Sequence, residues 1–123
     1  MGWKRIALPL LMLLLLAMPG VAYADRPDVD IKAPDSVKAG ENVPVVVEIE
    51  HEDVAPGHYV DLVRLYDGDN LLKEWRYGPD NYAKEEKWTV SYDDTFGRDA
   101  RLRAVARCNL HGEGANTETI RVS

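Results

Sequence analysis

The chain has 123 residues, 15 of them Lys or Arg against 21 Asp or Glu, and one cysteine, Cys108. A net charge of −6 excludes the broad basic surface that phosphate backbones require, so no nucleic-acid partner is expected.

In chain order, Lys4 and Arg5 supply a positive start, and the run from Ile6 to Met18 is apolar and carries no charge. That run is shorter than the roughly 20 residues a membrane-spanning helix needs. Pro19-Gly20 and then Ala22-Tyr23-Ala24, a small-x-small cleavage pattern, follow it. Residues 1–24 therefore read as a cleavable signal peptide, with Asp25 as the mature N-terminus. The expected product is exported to the periplasm or another extracytoplasmic space and has no membrane association after cleavage. Its 99 remaining residues, 25–123, suffice for one domain and keep 13 basic residues against 21 acidic, a net charge near −8.

The mature chain begins with a Pro-containing entry, Arg26 to Pro34, followed by an exposed turn from Asp35 to Gly40. Val43, Val45, Val47 and Ile49 then alternate and predict a half-buried strand. His51 to His58 holds Pro56-Gly57 and reads as a loop, and a second strand is predicted from Tyr59 to Tyr66. Asp67-Gly68-Asp69-Asn70 is a hairpin turn that leads into its partner, Leu71 to Tyr77. A polar connection from Gly78 to Glu86 precedes a strand with Trp88, Val90 and Tyr92 on one face. After a turn from Asp93 to Asp99, the segment Arg101 to Arg107 points Leu102, Ala104 and Ala106 inward and its arginines outward. A short last strand is predicted from Thr117 to Val122. Six or seven short strands with no amphipathic helix predict an all-β, immunoglobulin-like antiparallel sandwich.

All three histidines fall in loops or at strand ends: His51 and His58 bracket one loop, and His111 follows Cys108 in Cys108-Asn109-Leu110-His111-Gly112. A lone cysteine in an exported chain forms an intermolecular bridge, stays a free thiol or binds a metal. Taken singly, His51 and His58 would be solvated loop residues and Cys108 a small core filler. Taken jointly, they favour a metal, because a Cys-x-x-His turn offers a thiolate and an imidazole from one short segment. The donor set suits zinc, non-haem iron or a blue-copper centre. Copper is disfavoured, since Met1, Met12 and Met18 all leave with the signal and no axial methionine survives.

The segment Ala33-Pro34-Asp35-Ser36-Val37-Lys38-Ala39-Gly40-Glu41, the His58-Tyr59-Val60 strand start and Ala106-Arg107-Cys108-Asn109-Leu110-His111-Gly112 resemble the superoxide reductase family, which includes the desulfoferrodoxins and neelaredoxins. The resemblance spans about Lys32 to Val122 and implies an iron-binding sandwich that reduces superoxide, with an external electron-donor protein. It further implies Cys108 as axial thiolate and His51, His58 and His111 as equatorial ligands, and it leaves Arg26 to attract the anion. A homo-oligomer is compatible with it.

Two departures are visible. The loop histidines are seven residues apart where the family usually has six, and Asp25-Arg26-Pro27 stands where the family carries a Glu-Lys-His with a fourth histidine ligand. Three imidazoles and a sulfur also make a four-ligand zinc site an alternative. The competing functional expectations are thus a superoxide reductase-type enzyme, a non-catalytic zinc or iron module, and a partner-binding sandwich.

Overall fold

Alternating side chains, broken by Gly- and Pro-marked turns, resolve into eight strands within residues 26–123, the part of the chain that the computed structural model describes. They are β1 (Asp28–Lys32), β2 (Ser36–Val37), β3 (Asn42–Glu50), β4 (Val60–Asp67), β5 (Asn70–Arg76), β6 (Lys87–Thr95), β7 (Ala100–Cys108) and β8 (Gly112–Val122). The expected signal peptide at residues 1–24 lies outside the described residues. Two sheets form, a three-stranded one in the order β1-β3-β6 and a five-stranded one in the order β2-β8-β7-β4-β5.

The period-two pattern of β3 fixes which face meets the core. Val43, Val45, Val47 and Ile49 are all at most 1 % exposed, with Tyr92, Val90 and Trp88 of β6 paired opposite the last three. The five-stranded sheet answers with Val63, Leu65, Leu102, Ala104, Ala106 and Ile120, all fully buried. Each large aliphatic side chain removed from water in this way contributes roughly 1.5–3 kcal/mol. On the outer face Arg107 pairs with Asp61 at 2.9 Å, and Arg103 lies 4.9 Å over the ring of Tyr66. The β4–β5 hairpin closes through Gly68 and Asp69, with Gly68 at φ 58 as a two-residue loop requires.

Three expectations need correction. The entry segment contains a strand, β1, whose Val29 and Ile31 face the core; flanking prolines and outward Asp30 and Lys32, paired at 2.9 Å, hide the alternation. The turn before β3 includes β2, which pairs in parallel with the end of β8, so the sandwich is not wholly antiparallel. The last strand starts at Gly112 rather than Thr117, because β7 recruits its polar first half residue by residue from Cys108↔Gly112 onward.

Gly114 has a specific packing role. A Cβ built there would sit 1.7 Å from the carbonyl oxygen of Pro27, so only glycine lets the segment leading into β1 cross β8. Asn116 ties the same two strands, donating from Nδ2 to the Val29 carbonyl at 3.1 Å. Gly114→Ala is expected to cost about 1–3 kcal/mol in denaturant unfolding and to accelerate amide exchange in residues 26–30 while β4 and β7 keep their protection.

Candidate metal centre

The sheets end together on one side. There β3 delivers His51 directly after Glu50 in the three-stranded sheet, and β4 and β7 pair as Val60↔Cys108 in the facing one. Because His58 lies two residues before Val60, this single pairing brings it beside Cys108. A donor atom from each of His51, His58 and Cys108 lies within 4.8 Å of the others. His51 and Cys108 are both 2 % exposed, and among the described residues His51 is the one buried polar side chain. Its backbone N–H donates to the Glu86 carbonyl at 2.7 Å, which carries the β3–β6 ladder one residue past Glu50.

His58 owes its orientation to the loop it closes. Ala55 and His58 exchange two backbone hydrogen bonds of 2.9 Å around Pro56-Gly57, so the seven-residue spacing is taken up by a tight turn. Asp53, at φ 56, is the one described non-glycine residue in the left-handed region. Its carbonyl accepts a 2.7 Å hydrogen bond from His58 Nδ1. With Nδ1 committed as donor to the Asp53 carbonyl, neutral His58 has its lone pair on Nε2, the nitrogen left to bind a metal.

Cys108-Asn109-Leu110-His111-Gly112 is a hairpin, with Cys108 paired to Gly112 across three residues and Gly112 at φ 103. The short loop returns His111 to the thiol that precedes it: Nδ1 stands 3.6 Å from Cys108 Sγ and 3.1 Å from His58 Nε2. The ring of His58 lies 4.5 Å from that of His51 and 5.0 Å from that of His111. Adjacent nitrogen ligands bonded to one ion at ~2.1 Å stand roughly 3.0–3.4 Å apart, a spacing that His58 Nε2 and His111 Nδ1 have at 3.1 Å. His111 is exposed, whereas His58 is half-buried.

Arg26 is exposed and lies beside this hairpin, its Nε 3.8 Å from where a Cβ on Gly112 would stand. Pro27 is buried, its carbonyl held over Gly114, and the proline ring carries no donor atom. Reasoning from the sequence did not single out Asp53, Asn109 or Gly114 as residues that shape the site. A glycine two residues into a strand that already begins with glycine was the available signal for Gly114. Asn109, next to a candidate ligand at a strand end, was visible only as part of a motif.

A family model described as desulfoferrodoxin matches residues 27–115. No curated protein matches the chain. Among solved structures, the superoxide reductase (neelaredoxin) from Ignicoccus hospitalis is similar at 25 % identity, covering 78 % of this chain and 80 % of that one, with a TM-score of 0.66. A variant of it gives 22 % identity, 84 % and 86 % coverage and a TM-score of 0.69. A CARDB domain from Pyrococcus furiosus also matches, at 22 % identity, 80 % and 96 % coverage and a TM-score of 0.56. The sandwich is therefore shared beyond superoxide reductases, and what distinguishes this chain is the family-model match and the cluster at the strand ends.

The conformation of Asp53 yields a direct test. Left-handed backbone costs a β-branched residue about 1–3 kcal/mol, so Asp53→Val should lower unfolding free energy by that amount. Asp53→Gly keeps the carbonyl and accepts φ 56 freely, and it should unfold at or above the wild-type midpoint.

Proposed function

Because the chain belongs to the desulfoferrodoxin family, we propose that it is an exported mononuclear non-haem iron protein that reduces superoxide to hydrogen peroxide. The observation that carries the reading is the convergence of His51, His58 and Cys108, from both sheets, to within 4.8 Å. Residues His51, His58, Cys108 and His111 would hold the iron. When bound, ferrous iron supplies the electron in O₂•⁻ + e⁻ + 2H⁺ → H₂O₂, and an external donor protein restores it.

The chain's own groups divide the remaining work. Cys108 offers the most electron-rich donor in the set, and its burial keeps water and oxidants from the sulfur. His51, equally buried, anchors the ion to the facing sheet. The exposed His111 marks the open side, from which a small anion can approach. Arg26 stands on that side and provides local attraction in a mature chain whose net charge near −8 repels anions at a distance. Export rests on Lys4, Arg5, the apolar run to Met18 and Ala22-Tyr23-Ala24.

One observation favours a second reading. Pro27 stands where the family carries its fourth histidine, which leaves three imidazoles and one sulfur, a complement that also suits a closed zinc site without catalysis. Metal content separates the two. The first reading expects iron and a thiolate-to-ferric charge-transfer colour in the protein as isolated. Loaded anaerobically with Fe²⁺, it should release one peroxide for each superoxide consumed, faster than spontaneous dismutation, and Cys108→Ser should abolish both colour and turnover. Colourless, zinc-filled protein, or turnover no faster than dismutation, would decide for the non-catalytic module.

A further inference from the structure

The β4–β7 ladder stops at Val60↔Cys108, yet the two strands stay tied beyond it through one residue, Asn109. Asn109 Oδ1 accepts from the Tyr59 N–H at 3.0 Å, and Asn109 Nδ2 donates to the Gly57 carbonyl at 3.2 Å. The backbone N–H of Asn109 also donates to the Tyr59 carbonyl at 3.0 Å. Both neighbours of His58 are thus bonded to the residue that follows Cys108.

We propose that Asn109 is a positioning residue for the metal centre: its carboxamide sets the spacing of His58 and Cys108 before an ion arrives. This rests on the metal-centre reading above, though not on catalysis. The Tyr59 N–H belongs to a residue only 8 % exposed, where an unmet donor is costly, and Asn109 Oδ1 takes the place that a strand carbonyl would fill. Asparagine is suited to this because one fork carries an acceptor and a donor, matched to the N–H on one side of His58 and the carbonyl on the other. With the backbone held at Gly57 and Tyr59, the ring of His58 keeps only its side-chain rotations, and the Asp53 carbonyl fixes these at Nδ1. Position and tautomer of His58 are then both set in the metal-free protein, so the ion meets a formed pair and does not have to order a loop.

The test is a Co²⁺ titration of the mature protein, followed by thiolate-to-cobalt absorption, alongside unfolding of the metal-free form. Asn109→Ala should weaken Co²⁺ binding about 10–100-fold. Asn116→Ala serves as control: on β8 it likewise removes one side-chain donor and one side-chain acceptor, Nδ2 to the Val29 carbonyl of β1 at 3.1 Å and Oδ1 from the Thr117 N–H at 2.8 Å, and neither bond touches a residue of the His58 loop. It should lower stability comparably and leave Co²⁺ affinity at the wild-type value. Asn109→Gln keeps the chemistry but lengthens the arm, and it should weaken binding with little change in unfolding midpoint; it decides the matter if Asn109→Ala does not fold. Wild-type affinity in a folded Asn109→Ala or in Asn109→Gln, or equal weakening in Asn116→Ala, overturns the proposal. Wild-type protein that takes up no Co²⁺ overturns the metal centre itself, and the positioning role with it.

Discussion

The interaction on which the site depends is the packing of β3 against the β4–β7 pair. Val45, Val47 and Ile49 on one sheet meet Val63, Leu65, Ala104 and Ala106 on the other, and all are fully buried. Interiors packed to this density resist sliding, because moving one sheet by a residue would open voids and push methyl groups into occupied space. The position of His51 relative to Cys108 is therefore inherited from aliphatic side chains that never touch a ligand. Register adds the second constraint, since a one-residue slip in β3 would turn Val43, Val45, Val47 and Ile49 outward and carry His51 away with them.

The parts of this design that were legible in the sequence share one property: the information is local and periodic. The alternation in β3 and β7 needs only the residue two positions away, and the Cys-x-x-His turn needs only the three that follow Cys108. What was not legible depends on partners distant in sequence. β1 is a strand because Val46 to Glu50 lie opposite it, and β8 is long because β7 pairs with its glycines and polar residues all the way to Gly112. Gly114 is informative only once Pro27 is known to cross it, and Asn109 only once residues 57 and 59 are known to lie alongside. The convergence of the two histidine-bearing loops was a geometric expectation, and the donor distances of His51, His58 and Cys108 agree with it.

On the proposed reading, in which Pro27 stands at the position of the family's fourth histidine, Pro27 also separates two explanations for the missing ligand. The segment could have detached from the domain, taking its ligand with it, or it could have stayed docked with the ligand replaced. It is docked: Pro27 is buried, its carbonyl sits over Gly114, and Arg26 lies beside Gly112. On that reading the segment is docked against β8 with no side-chain donor atom at residue 27. A proline at that point has its own logic, because a fixed φ lowers the entropy of a segment that must lie flat across β8.

On the proposed reading, a site with one fewer ligand relies more on what holds the others. Each hydrogen bond around His58 contributes only about 1 kcal/mol net to folding, so none is needed to keep the sandwich together. Their effect is on the loops, where fixing a residue's backbone costs roughly 1–2 kcal/mol that an incoming ion would otherwise have to supply. Between His51 and Val60, Ala55 and His58 bond to each other, Gly57 and Tyr59 bond to Asn109, and the His58 ring bonds to the carbonyl of Asp53. That places the ordering cost on folding, where the buried core can offset it, and leaves metal binding to be governed by the donors themselves.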